Sequence, residues 1–301
     1  MKVAVSGSSG LVGSALVPHL TAGGHQVARI VRSRAASPGE IAWNPEAGTI
    51  DSAALEGFGA IIHLAGESIA HGRWTEAKKN RIRDSRVGST RLLTAAIAGL
   101  SRPPQVLVCA SAIGYYGDRG DELLKEDSPP GDDFLAGVCR AWEEAAEAAA
   151  RRGVRVVQHR FGMILSTAGG ALDKMLLPYR LGAGGPIGTG RQYVSWITLD
   201  DALGAIGHAL ATVTLRGPVN TVSPHPVTSR EFARALGRVL HRPAILPLPA
   251  FAARLMFGEM ADALLLSSQR VDPARLLSSG YLFLHPDLEP ALGHLLGRTV
   301  S

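Results

Sequence analysis

Cysteine is scarce in this chain. Cys109 and Cys139 are the only two in 301 residues, with no metal-ligand spacing and too few bridges for a disulfide framework. Long apolar runs are missing as well, and Met1 leads directly into a strand-like segment, so the expectation is a soluble cytoplasmic protein without a membrane span or leader. Aromatic residues make up 5% and the net charge is only +5, with basic residues scattered. The densest basic stretch, KKNRIRDSR (Lys78 to Arg86), has the helical spacing of a solvated face and no interleaved aromatics, which argues against a nucleic-acid partner. What remains is an ordinary globular composition, 46% hydrophobic and 19% charged, long enough for a large core.

Along the chain, short β-rich apolar runs alternate with helical patterns. VAVS (Val3 to Ser6), QVARIVR (Gln26 to Arg32), AIIHLAG (Ala60 to Gly66), QVLVCAS (Gln105 to Ser111) and RVVQHRF (Arg155 to Phe161) read as strands. Leu11 to Ala22, Thr75 to Leu100 and Phe134 to Arg152 read as helices. This alternation predicts an α/β fold, a Rossmann-type doubly wound parallel sheet. After Phe161 a helix runs into a glycine-rich loop, Thr198 caps a further helix, and the proline-punctuated RPAILPLPAF (Arg242 to Phe251) marks a boundary. The division expected is residues 1–225 as a nucleotide-binding domain, with 162–225 contributing to a substrate cleft, and a smaller, mainly helical region over 245–297 packed on it.

The first strand opens into SGSSGLVG, with Gly7, Gly10 and Gly13 spaced G-x-x-G-x-x-G. A strand before and a helix after make this a dinucleotide turn. Gly7 and Gly10 let the backbone approach a pyrophosphate, Gly13 lets the helix pack on the strand, and Ser9, Leu11 and Val12 belong to the turn and the helix N-terminus that faces the phosphates. The second strand ends in IVRSR, without the acidic residue that holds an NAD ribose. Arg32, aided by Arg34, suits a 2′-phosphate instead, which makes NADP(H) the expected cofactor.

SGSSGLVG, HLAGESI (His63 to Ile69), SAIGYYG (Ser111 to Gly117), FLAGVCRAWE (Phe134 to Glu143), GGPIGTGRQYVSWITLDD (Gly184 to Asp201), GPVNTVSPHPVTSREF (Gly217 to Phe232) and the closing LPLPAF…FGEMA…SQRVDP carry a resemblance along essentially the whole chain. The sequence resembles the short-chain dehydrogenase/reductase superfamily. More narrowly, it is similar to the NAD-dependent epimerase/dehydratase-like "epimerase family" proteins of its atypical, extended branch, which end in a small domain of unknown function. The resemblance implies that Leu64, Ala65 and Gly66 border the cofactor and that Arg86 lies near the phosphates. It also implies that Ser111 stands where the superfamily places its catalytic hydroxyl, and that Arg160 and the segment after it run near the nicotinamide.

One hallmark of that superfamily is missing. Its Tyr-x-x-x-Lys pair has no counterpart: Phe134 pairs with Val138 in one register, Leu135 with Cys139 in the other. Three readings follow: catalysis by Ser111, Tyr115 or Tyr116 with Glu67 or Glu143 as carboxylate partner; a simple reductase using water as proton source; or a noncatalytic NADP(H)-binding sensor. Glu143 reads equally as part of a solvated face with Glu144 and Glu147. On the substrate side, Glu67, Arg191 and Trp196 are candidates for a small molecule, either a sugar nucleotide or a carbonyl compound. Trp196 also reads as core, His63 as a satisfied wall residue and His225 as part of a rigid loop. Asp200 and Asp201 show no metal-ligand partner in the sequence, so no metal site is expected. The helices over 75–100 and 134–152 are the candidate surfaces for a homodimer, with a monomer as the alternative.

Overall fold

The computed structural model describes residues 1–32, 37 and 39–298. The chain begins β1 (Lys2–Ser6), α1 (Leu11–Ala22), β2 (Gln26–Val31), β3 (Glu40–Asn44), β4 (Thr49–Ile50), β5 (Ala60–His63), α2 (Glu76–Arg83) and α3 (Ser89–Gly99). It continues β6 (Val106–Ala112), β7 (Leu123–Leu124), α4 (Phe134–Glu147), β8 (Arg155–Phe161), β9 (Met163–Leu165), α5 (Gly170–Arg180), β10 (Tyr193–Val194), β11 (Trp196–Thr198) and α6 (Leu199–Ala211). The remainder is β12 (Gly217–Thr221), β13 (Val227–Thr228), α7 (Ser229–Leu240), α8 (Ala250–Phe257), α9 (Glu259–Ala261), β14 (Arg270–Val271), α10 (Ala274–Ser278) and α11 (Leu288–Leu295).

Eight strands form the main sheet in the order β12-β8-β6-β5-β1-β2-β3-β4. All neighbours run parallel except the β3–β4 edge pair. Strand order reverses between β1 and β5, the crevice where ligands of doubly wound sheets collect. The strands read as unbroken apolar runs because both faces are covered. Val3, Val5, Ile62, Val106 and Val108 point to a layer shared with Leu16 and Leu20 of α1 and Ile206 of α6. Ala4, Ile61 and Leu107, one residue out of phase, join Leu93 and Ile97 of α3 and Ala146 of α4.

The helix expected over 75–100 is interrupted. α2 and α3 are joined by a π-helical turn, Asp84–Gly88, a geometry frequent at functional sites. The structure also has strands β3, β4 and β12, which the alternation did not single out. A third core packs α5, α7 and α11 around Trp196, with Leu176, Phe232, Leu236 and Leu292 in contact. The region after Arg242 is therefore built onto the sheet domain, and β14 pairs with β7. Among the described residues no helix is long and apolar enough to cross a membrane.

Candidate functional site

The turn after β1 is fixed by sterics. Gly7 has φ 69°, and a Cβ there would stand 2.6 Å from the Leu64 carbonyl carbon. A Cβ at Gly13 would stand 2.2 Å from the Gly7 carbonyl oxygen, so the helix packs on the turn only with glycine. Gly10 differs: its Cβ would meet only the Gly7 oxygen, at 3.4 Å. The space over Gly10 is open on the side where α1 begins, with no side-chain cap and no acidic residue in the first turn. Unpaired N–H groups and the positive end of the helix dipole therefore face the crevice, the environment a pyrophosphate requires.

Arg32 follows β2, is exposed, and lines a hollow of about 280 Å³ with Trp43, Asn44 and Asp51. Arg34 lies outside the described residues. Across the β1–β5 crevice, Leu64 and Ala65 are half-buried and Gly66 is exposed. Arg86 packs against Gly66, donates to the backbone oxygens of Glu67 and Ile82, and lies over the Trp142 ring at 5.2 Å. Burial lowers its pKa. The π-helical turn also brings Ser85 to accept from the Glu67 N–H, which fixes the loop after β5. Glu67 pairs with Lys78 at 2.6 Å. That hydrogen bond, opposed in part by burial, holds the carboxyl below the usual carboxylate range. KKNRIRDSR is thus not wholly a solvated face, since Lys78 and Ile82 are buried.

At the end of β6 the Ser111 hydroxyl donates to Glu143 Oε1 at 2.7 Å. Arg160 on β8 grips the same carboxylate with Nε and Nη2, both at 2.8 Å. Its Nη1 donates to the Tyr116 hydroxyl and the Glu126 carbonyl. Tyr116 in turn donates to Asn220 Oδ1 at 2.6 Å. Tyr115 lies on the Arg160 guanidinium, 3.5 Å from charge to ring centre, and is half-exposed.

One expectation needs correcting here. Glu143 is buried rather than on a solvated face, whereas Glu144 and Glu147 are exposed. Tyr116 has no exposed surface, and burial pushes its hydroxyl up to about 12, against the pull of Arg160. Arg160 is 2% exposed and its guanidinium is taken up by Glu143, Tyr116 and Glu126, so it braces the carboxylate that Ser111 donates to. In either register the helix position that would carry the superfamily's lysine is apolar and buried, Val138 in one and Cys139 in the other, and burial pushes the Cys139 thiol up to about 12.

On the substrate side Arg191 is exposed, in the loop between α5 and β10. Trp196 takes the core reading. It is fully buried and its indole N–H donates to the His225 carbonyl. His63 is buried between the Ser6 and Ser89 hydroxyls, and burial lowers its pKa to about 4. His225 pairs with Asp287 at 2.7 Å. Asp200 is not without metal-ligand neighbours, because folding brings His285 and His294 to it.

The chain matches the model of the NAD dependent epimerase/dehydratase family over residues 3–222. The chain belongs to that family. Residues 248–295 match a second model, a domain of unknown function, DUF1731. Among curated relatives, an epimerase family protein of Mycobacterium tuberculosis is 45% identical over 296 residues, covering 98% of each chain. Among solved structures, human epimerase family protein SDR39U1 (isoform 2) with NADPH aligns at TM-score 0.91 and 37% identity, covering 99% of this chain and 100% of that one. The nucleoside-diphosphate sugar epimerase of Corynebacterium glutamicum aligns at TM-score 0.81 and 37% identity, covering 99% of this chain and 58% of that one.

Sequence reasoning missed Glu126 and Asn220. Glu126 is buried and its Oε1 accepts from the backbone N–H groups of Asn220 and Arg275. No local pattern marks it, because its partners lie 94 and 149 residues away. Glu143 did carry a signal. It falls on the helical stripe of Leu135, Val138, Cys139 and Trp142, all buried.

Proposed function

We propose that the protein binds NADP(H) and uses it as an oxidoreductase or epimerase on a small hydroxyl- or carbonyl-bearing molecule, with a sugar nucleotide as the leading substrate class. Gly7, Ser9, Gly10, Leu11, Val12 and Gly13 would hold the pyrophosphate, Arg32 the 2′-phosphate, and Leu64 to Gly66 with Arg86 the adjoining ribose and phosphates. When bound, the nicotinamide supplies or accepts a hydride. The observation that carries a catalytic reading is the Ser111–Glu143 hydrogen bond at the carboxyl edge of the sheet. Because Ser111 Oγ donates its own proton to Glu143, its lone pairs are free to accept from a substrate hydroxyl. The substrate proton passes to Oγ as the serine proton moves to Oε1, and the path reverses when a carbonyl is reduced. Arg160, itself held by Tyr116, fixes the carboxylate, while half-exposed Tyr115 and exposed Arg191 would touch a ligand.

Titration with NADPH and NADH, wild type beside Arg32→Ala, tests the cofactor reading. Loss of a charged hydrogen bond costs about 1.5–3 kcal/mol, so the variant should bind NADPH roughly 10- to 150-fold more weakly and NADH unchanged. Equal affinity for the two nucleotides overturns the assignment of Arg32. Turnover of a carbonyl and sugar-nucleotide panel that disappears in Ser111→Ala supports catalysis. Tight NADPH binding without any turnover favours the second reading, a noncatalytic NADP(H) sensor, which draws on the apolar Leu135–Cys139 positions and the 3% exposure of Ser111.

A further inference from the structure

A second cluster of reactive side chains lies outside the cofactor crevice, where the end of the chain meets the start of α6. Asp200 is in the first turn of α6, His285 follows the short helix α10, and His294 is in α11. One ligand atom from each of the three lies within 4.8 Å of the other two. His294 Nε2 is 3.0 Å from Asp200 Oδ2, and the two imidazoles stack with centroids 4.2 Å apart and planes 24° from parallel. The His285 ring makes no hydrogen bond among the described residues, so its nitrogens are free.

The neighbouring carboxylate explains why this constellation is held in place. Asp201 is fully buried and accepts from Thr198 Oγ1, Tyr281 OH and the backbone N–H groups of Leu284 and His285. That anchors the His285 backbone beside α6, while Asp200, one residue earlier, turns its carboxylate outward. Two imidazoles and one carboxylate are a borderline donor set, suited to zinc-class transition ions and poorly suited to Mg²⁺ or Ca²⁺, which prefer oxygen alone. With bonds of 2.0–2.2 Å, tetrahedral neighbours stand about 3.4 Å apart, so the widest pair has to close by up to roughly 1.4 Å. Side-chain rotation supplies this, since Asp200 and His294 are 46% and 52% exposed.

We propose that Asp200, His285 and His294 form a binding site for a divalent transition metal of the zinc class, completed by water, that ties the C-terminal segment to the N-terminus of α6. Bound metal adds its free energy to the folded state. The test is calorimetric titration of the EDTA-stripped full-length protein with Zn²⁺, with thermal melts and the visible spectrum of a Co²⁺ form as independent readouts. The expected result is one strong site, a raised Tm, and Co²⁺ bands of a four-coordinate centre. In Asp200→Asn and His294→Ala the affinity should fall at least about tenfold, because losing even an outer hydrogen-bond partner of a ligand costs that much. His225→Ala removes a different exposed His–Asp pair and should bind as the wild type does. No one-to-one binding, or binding that Asp200→Asn and His294→Ala leave intact, overturns the proposal. Circular dichroism of each variant separates lost binding from lost folding.

Discussion

Replacing Glu143 by alanine is expected to destabilise the protein more than it changes any surface property. The Arg160 side chain is 2% exposed and that of Glu143 11%. Alanine at 143 removes the anionic partner of the guanidinium, with its two acceptor oxygens at 2.8 Å each, and the acceptor of Ser111, leaving Arg160 only the neutral Tyr116 hydroxyl and Glu126 carbonyl. A buried charge that loses its partner costs about 3–5 kcal/mol. Unfolding entropy of about 2.1 cal/mol/K per residue, over 301 residues, is close to 0.6 kcal/mol/K, so each kcal/mol moves Tm by about 1.6 °C. The expected fall is then about 5–8 °C by calorimetry. Glu143→Gln, which keeps one acceptor oxygen, should fall by less. The double variant Glu143→Leu with Arg160→Met should recover part of the loss, because burying no charge costs less than burying one alone. A Glu143→Ala melt within about 2 °C of wild type would show that solvent or another group reaches Arg160, and the description of this network would be wrong.

Other perturbations follow from the same structure. Tyr116→Phe removes the donor to Asn220 Oδ1 and the acceptor of Arg160 Nη1, so stability should drop by about 1–3 kcal/mol in denaturant titrations; an unchanged midpoint contradicts the structural role given to Tyr116. Gly13→Ala puts a methyl 2.2 Å from the Gly7 oxygen, and nucleotide affinity should collapse in parallel with Tm; a variant binding NADPH normally refutes the packing argument. Burial lowers His63 from 6.5 to about 4, and also lowers His159. Between those values the unfolded chain takes up a proton that folded His63 refuses, so this contribution is complete above pH 6.5 and lost as pH falls toward 4. The His63 share is about 3 kcal/mol. His63→Asn should flatten the slope of stability against pH in that window, and equal slopes would exclude His63 as its source.

The sheet was legible because each central strand is apolar on both faces and each crossover helix keeps its period. Gly7 and Gly13 were legible because a backbone collision leaves only one residue type. Strands β3 and β4 were less so: they form a short edge pair, and EIAWN has little to set it apart from a loop. Sequence order also placed Ser111 at the end of its strand. It could not tell which carboxylate would meet that hydroxyl, since Glu67 and Glu143 were equally available and the choice is made by how α4 docks on β8. Trp196 was legible as either wall or core. Its burial depends on α5, α7 and α11 closing around it, from positions as much as 96 residues away along the chain. The meeting of Asp200 with His285 and His294 is likewise a product of tertiary contact and leaves no spacing to read.

Asp201 also bears on the order in which the chain is made. Its carboxylate lies within the first turn of α6, and α6 packs in the core layer shared with β1 and β5. Two of its donors, the N–H groups of Leu284 and His285, do not yet exist when the last strand of the sheet, ending at Thr221, has been synthesised. The segment that brings those donors, with Tyr281, also covers the carboxylate, so water solvates Asp201 until residues 281–285 dock on α6. A chain cut before Leu284 lacks both N–H donors, so the residues after α10 complete the polar shell of a helix that precedes them by about 80 positions.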